Sequence, residues 1–131
     1  MSQHAILVTG GAGYIGSHVA RQLSEAGERV VVLDDLSTGF RQAVLGGDLV
    51  VGNTGDPDCL RKLFSQYEID TVMHFAAHTI VPESVADPLK YYRNNTSASC
   101  PLLEWCIDSD VRHFVFSSSA AVSGIPDVGI A

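Results

Sequence analysis

Apolar residues fall along this chain in short unbroken runs separated by stretches of helical spacing. The runs are AILVT (5–9), RVVVLD (29–34), DLVVG (48–52), DTVMHFAA (70–77) and HFVFSSS (113–119). A strand with one wetted face alternates apolar and polar side chains, whereas a strand covered on both faces does not. These five runs therefore predict strands of a parallel sheet buried on both sides.

The intervening stretches carry helix signals. In 14–27, Ile15, Val19 and Leu23 recur at four-residue steps and Gly27 supplies a stop. The stretch 56–67 opens on Asp56 as N-cap and Pro57 in the first turn. From about Glu83 to Ser109 the pattern is helical but interrupted. Pro88 can open a helix after Asp87, whereas Pro101 lacks an N–H and crowds the preceding turn, which predicts a kink or break near Ser97 to Pro101. The link 35–47 reads as loop with one helical turn around Arg41 to Leu45. Strand and helix in alternation require right-handed crossovers, hence a doubly wound α/β sheet. The expected strand order is 3-2-1-4-5, with a ligand crevice at the carboxyl ends of strands one and four. Residues 1–131 show no internal repeat or linker and read as one domain.

Composition narrows the classes. Hydrophobic residues at 46% suffice for a packed core. A net charge of −7, with eight Lys and Arg, argues against a nucleic-acid partner. An anionic ligand would have to be met by main-chain N–H groups and a helix end. Cys59, Cys100 and Cys106 form no CxxC, so no disulfide framework or zinc ribbon is expected; reduced thiols fit a cytoplasmic protein. No run is long enough for a membrane span, and no membrane partner is expected.

The chemistry concentrates at the first strand–helix junction. Gly11, Gly13 and Gly16 satisfy GxGxxG, and Gly10, Gly13 and Gly16 satisfy GxxGxxG. Gly10 permits a tight turn out of the strand, Gly13 removes a Cβ where a pyrophosphate would lie, and Gly16 lets the helix pack close. The helix beginning near Tyr14 turns its unpaired N–H groups and positive dipole end toward such a ligand. Asp34 closes the next strand 18 residues after Gly16, where a carboxylate accepts the hydroxyls of an adenosine ribose. Together these mark a Rossmann-type dinucleotide site. Asp35 is either a second ribose-end acid or a solvated loop residue. Two carboxylates there repel a 2′-phosphate, so NAD is expected rather than NADP.

The segments VTGGAGYIGSH, LDDLSTG, HFAAHTIVPESVADPLKYYRNN and FVFSSSAAV together resemble the extended short-chain dehydrogenase/reductase family, in its NAD-dependent epimerase/dehydratase branch. The resemblance covers nearly all of this chain but only the amino-terminal part of a family member. It implies a tightly held NAD, reduced and reoxidised within a turnover that inverts C4 of a UDP-sugar through a 4-keto intermediate, as in galactose metabolism. It further implies a cofactor site made of Gly10, Gly13, Tyr14, Ile15 and Gly16 at the pyrophosphate. Asp34, Asp35, Leu36, Ser37, Thr38 and Gly39 would form the ribose loop, and Asn53 and Thr54 the adenine pocket. Phe75, Ala76, Ala77, His78 and Thr79 would line the cofactor after strand four, and Asn94 would reach toward it. Ser119 matches the serine that shares a hydrogen bond with the family's catalytic tyrosine. The long helix segment implies a homodimer in the family; for Tyr91 and Tyr92, packing and a subunit contact both remain open.

Several departures matter. Asn53 stands where the family usually has Asp, Thr79 where some members have Lys, and Val122-Ser123-Gly124 where an aromatic is common. The YxxxK base motif is absent: Tyr14, Tyr67, Tyr91 and Tyr92 precede His18, Thr71, Asn95 and Thr96 by four. The chain thus reads as the cofactor half of an epimerase, without a substrate domain and inactive alone, its fifth strand left with an open apolar edge. A non-catalytic NAD-binding module is the alternative of another class; a different nucleotide-sugar epimerase or a dehydratase is the alternative within it. His74 and His78 lie at a strand end without a third ligand, so no metal is expected and His74 reads as a core or supporting histidine. Cys100 and Cys106 fall about 120° apart around a helix and do not share a face. SSSAAVS lacks a GxSxG elbow, which leaves Ser119 as a strand-end hydroxyl.

Overall fold

The computed structural model describes residues 3–119 and Gly124. Its chain order is β1 (Ala5–Thr9), α1 (Tyr14–Glu25), β2 (Arg29–Asp34), a 3₁₀ turn (Arg41–Ala43), β3 (Asp48–Val51), α2 (Pro57–Gln66), β4 (Ile69–His74), α3 (Val81–Ala86), α4 (Pro88–Tyr91), a π-helical segment (Tyr92–Ser97), α5 (Ser99–Asp108) and β5 (His113–Phe116). All strand pairings are parallel, in the order β3-β2-β1-β4-β5. The expected doubly wound α/β sheet is therefore observed. Strands β4 and β5 are shorter than their apolar runs: past His74 and Phe116 the chain leaves the ladder to build loops at the carboxyl edge.

Alternate side chains of the central strands face opposite layers. Ala5, Leu7, Val31, Leu33 and Val72 pack with Leu60 and Leu63 of α2 and Leu102 and Cys106 of α5. Val8, Val30 and Val32 pack on the other face against Ala20, with Leu23 at the margin. Burial on both faces holds for β1 and β2 but not for the edge strand β3, where Val51 is 50% exposed, nor for β5, where Phe114, Val115 and Phe116 are 38%, 45% and 64% exposed. Strand β5 lies at the other sheet edge.

The helix punctuation acts as its chemistry requires. Asp56 caps α2 by accepting the Asp58 N–H at 3.0 Å, and Asp87 caps α4 by accepting the Lys90 N–H at 3.2 Å. The expected break before Pro101 takes the form of the π-helical turn followed by Ala98, so Pro101 falls in the first turn of α5, where a missing N–H costs nothing. Cys59 is half-buried, Cys100 exposed and Cys106 buried. Burial pushes the Cys106 thiol up to about 11, which makes it inert at neutral pH. No described helix is long and apolar enough to cross a membrane.

Candidate functional site

A crevice opens at the carboxyl edge of the sheet, above β1, β2 and β4. Its floor is Gly10 and Gly13. One wall is Leu33, Asp34, Asp35, Ser37, Thr38 and Gly39; the end is Gly52, Asn53 and Thr54; the opposite wall is Phe75, Ala76, Ala77, His78 and Asn94. Most of the expected cofactor residues are thus brought together by four separate connections. Tyr14 and Ile15 stand in the first turn of α1, 83% and 57% exposed, and Gly16 lies beneath Gly10. Leu36 is half-buried, held at φ 60 by the turn it forms. Thr79 and Ser119 are exposed and do not line the crevice. Val122 and Ser123 lie outside the described residues. Leu33 and Gly52 line the crevice without having been expected. A Cβ at Gly52 would run into the Cys59 sulfur, a requirement that no local pattern displays.

The glycine turn is shaped from below and open from above. Gly10 takes φ 67, and a Cβ there would sit 2.7 Å from the main chain of Phe75 and Ala76. A Cβ on Gly16 would overlap the Gly10 carbonyl oxygen and lie 2.9 Å from the Gly10 carbonyl carbon. At Gly13 an added Cβ meets only the Gly10 oxygen, at 3.3 Å. Packing thus demands Gly10 and Gly16, whereas at Gly13 a Cβ would require only that the Gly10 carbonyl oxygen give by a few tenths of an ångström; the bare face of Gly13 is turned to the crevice. No side chain caps α1 and no acidic residue stands in its first turn. Helix α2, by contrast, carries both Asp56 as cap and Asp58 as a first-turn acid. The first-turn N–H groups of α1 and its dipole are therefore available to an anion.

Asp34 ties the loops together. It is 9% exposed, and its carboxylate accepts the Ala12 N–H at 2.9 Å and the Leu36 N–H at 2.8 Å. Each carboxylate oxygen retains acceptor capacity for a second partner. Asp35, although exposed, accepts the Ser37 N–H at 2.9 Å and the Asn53 amide at 3.3 Å. Partial burial pushes its carboxyl up, but the hydrogen bonds from Ser37 and Asn53 and the His78 charge outweigh it and hold the carboxyl below its ordinary value. The negative end of the crevice thus sits where the sequence predicted repulsion of a 2′-phosphate.

Beneath the opposite wall runs a buried polar chain. Thr9 Oγ1 lies 2.6 Å from His74 Nδ1, and His74 Nε2 lies 3.1 Å from Ser99 Oγ, which donates to the Asn95 carbonyl at 2.7 Å. Thr9 Oγ1 also accepts the Phe75 N–H at 3.2 Å. With the hydroxyl proton of Ser99 committed, the chain is satisfied by one arrangement: Thr9 donates to Nδ1, and a neutral His74 donates from Nε2 to Ser99. Burial pushes the His74 pKa down, in agreement with the neutral ring. His74 is therefore a supporting core histidine. No group of metal-ligating side chains occurs among the described residues.

Among the described residues no tyrosine lines the crevice. The Tyr91 hydroxyl, which has one proton to give, lies 2.8 Å from a Glu83 carboxylate oxygen and 2.9 Å from the Ile80 carbonyl oxygen and accepts the Ile80 N–H at 3.1 Å, and Glu83 is also ion-paired to Lys90. Burial and the Glu83 carboxylate push the Tyr91 phenol up, opposite to what a proton acceptor needs.

Parallel order, a glycine turn at the head of an uncapped helix and an acid closing the second strand define a dinucleotide-binding α/β domain. The chain belongs to the NAD dependent epimerase/dehydratase family, which matches residues 6–129. It is 50% identical over 123 residues to the UDP-glucose 4-epimerase of Azospirillum brasilense, covering 93% of this chain and 35% of that protein. The UDP-glucose 4-epimerase of Brucella ovis, solved in complex with NAD, superposes with a TM-score of 0.87 at 44% identity, over 96% of this chain and 39% of that one. That of Thermotoga maritima, solved with UDP-glucose, gives a TM-score of 0.84 at 38% identity, over 87% and 37%. The chain spans about a third of the length of these relatives.

Proposed function

We propose that the crevice is an NAD site and that the chain is the dinucleotide-binding portion of a UDP-glucose 4-epimerase, interconverting UDP-glucose and UDP-galactose. The observation that carries this reading is Gly13: a bare position that packing constrains far less than Gly10 or Gly16, at the head of a helix with neither side-chain cap nor acid. The relatives solved with NAD and with UDP-glucose support it. Gly10 and Gly13 with the N–H groups of Tyr14, Ile15 and Gly16 would hold the pyrophosphate. Asp34 to Gly39 would hold the adenosine ribose, and Asn53 and Thr54 the adenine. Phe75 to His78 and Asn94 would line the nicotinamide half, and Ser119, which stands outside the crevice lining, would serve the proton-transfer end. When bound, NAD supplies a hydride acceptor and donor; these residues bind it, orient it and exclude water.

The reading places the protein in the cytoplasm, in galactose metabolism. It includes a homodimer formed through the side of α3 to α5, where Val85, Leu89 and Ile107 are exposed. Residues 1–131 would form the cofactor-binding domain. Because no Tyr-x-x-x-Lys is present, a non-catalytic NAD-binding module is the second reading. Calorimetric titration with NAD and NADP tests what both share: NAD should bind and NADP should bind more weakly. Folded protein that takes up no NAD defeats both. An assay of UDP-galactose and UDP-glucose interconversion should show no turnover for the 131-residue chain, and sustained turnover would contradict the stated need for a tyrosine base.

A further inference from the structure

We propose that Asp35 is the positioning residue that sets which base the crevice reads: by fixing the orientation of the Asn53 carboxamide, it makes that end take a 6-amino purine in preference to a 6-oxo purine. The inference rests on the reading of the crevice as an NAD site with its adenine at Asn53. Both residues line the crevice. The parallel pairing of Asp34 with Val51 brings their two strand ends together. A carboxamide can turn over and exchange its donor and acceptor ends with almost no change of shape. At Asn53 two neighbours oppose the exchange. Its Oδ1 accepts the Gly55 N–H at 2.7 Å, and its Nδ2 donates to Asp35 Oδ2 at 3.3 Å. Turned over, it would set an NH₂ against an N–H at one end and an oxygen against a carboxylate at the other.

Asp35 is itself aimed. Its other carboxylate oxygen, Oδ1, accepts the Ser37 N–H at 2.9 Å in the turn that follows β2. The carboxyl is held below its ordinary value, so at neutral pH it is ionised and only accepts. After these bonds Asn53 Oδ1 has capacity for one more donor, and Nδ2 has one more N–H to give. An amide oxygen held this way accepts from the 6-amino group of adenine while the N–H serves the ring nitrogen beside it, a pairing that carboxamides make with adenine. Hypoxanthine carries an oxo group in place of the amino group, which sets oxygen against oxygen. An aspartate at position 53 could accept but not donate, and beside Asp35 it would meet a like charge.

The test compares dissociation constants, by calorimetry, for NAD and for nicotinamide hypoxanthine dinucleotide, which differs from NAD only in the base. Any contact of residue 35 with ribose or phosphate cancels in their ratio. The parent should bind NAD about tenfold more tightly or better. In Asp35→Asn the Ser37 N–H still requires an oxygen at Oδ1, so the new NH₂ takes the place of Oδ2 and faces the Asn53 NH₂. Neither orientation of Asn53 is then satisfied, and the ratio should fall toward unity. Combining Asp35→Asn with Asn53→Asp restores one donor facing one acceptor in the opposite sense, with oxygen still turned to Gly55 and to the base. The preference for NAD should then return, a rescue from position 53 that a role in folding the turn would not allow. A parent that binds both dinucleotides equally, an unchanged ratio in Asp35→Asn, or a ratio that the paired exchange fails to restore each overturns the role of Asp35 and leaves the cofactor reading standing. Should the folded parent bind neither dinucleotide, the cofactor reading falls and takes this role with it.

Discussion

Replacing Gly13 with alanine and, separately, Gly16 with alanine divides one motif into a ligand requirement and a packing requirement. At Gly13 the backbone stands at φ −81 and ψ 178, open to any residue, and the new methyl meets only the Gly10 oxygen at 3.3 Å. Alanine is worse than glycine as an N-cap by about 0.5–1 kcal/mol, and it restricts the unfolded chain by a similar 0.4–1 kcal/mol. The two offset, so Gly13→Ala should leave the unfolding midpoint within a few degrees of the parent. The methyl, however, holds a phosphate off the first-turn N–H groups. Losing one charge-assisted hydrogen bond costs about 1.5–3 kcal/mol, or roughly 10- to 100-fold in NAD affinity. At Gly16 the methyl overlaps the Gly10 carbonyl oxygen and crowds main-chain carbon at 2.9 Å. Overpacking against backbone that cannot yield costs about 3 kcal/mol. For a domain of this size that corresponds to a midpoint lower by roughly 10 °C. Thermal unfolding paired with calorimetric NAD titration reads both effects. Undiminished NAD binding by folded Gly13→Ala, or an unchanged midpoint for Gly16→Ala, would refute the division.

Asp34→Asn should lower stability by about 1.5–3 kcal/mol even without ligand, because one of the two N–H groups now served by the carboxylate would face an amide NH₂; a denaturation curve coincident with the parent's would contradict it. Asp56→Ala should cost about 1 kcal/mol through loss of the α2 cap and leave NAD affinity unchanged. Burial lowers the folded-state pKa of His74 below its unfolded value near 6.5, so the unfolded chain binds the extra proton first. Stability should therefore be full above about pH 6.5 and fall as the pH drops below it. Replacing His74 with glutamine should flatten that slope, and an identical slope in the variant would assign the pH dependence to another group.

The strands, their parallel order, Asp56 and Asp87 as caps, and the break before Pro101 are all legible in the residues, because each follows from local periodicity or from one residue's own backbone chemistry. Asp34 was legible for the same reason: its distance from the glycine turn is a distance along the chain. That Asp34 also ties Ala12 to Leu36 was not legible, since those partners meet only when β1 and β2 lie side by side. Asn95 carried no sign of its partners. In the sequence it is a second asparagine in a helical run. Its carboxamide meets the His78 N–H at 2.8 Å and the His78 carbonyl at 2.9 Å, contacts that exist only once His78 has been delivered from the end of β4.

By itself the sequence determined the layered α/β class and the bare turn at the head of the first helix. Hydrophobic period and missing Cβ atoms are properties of residues and their near neighbours. Tertiary structure alone decided which glycines are required by packing and which stands bare at the crevice. It also decided which polar side chains form the wall and which hold it, because hydrogen bonds and steric overlaps between distant segments exist only once the sheet has brought those segments together.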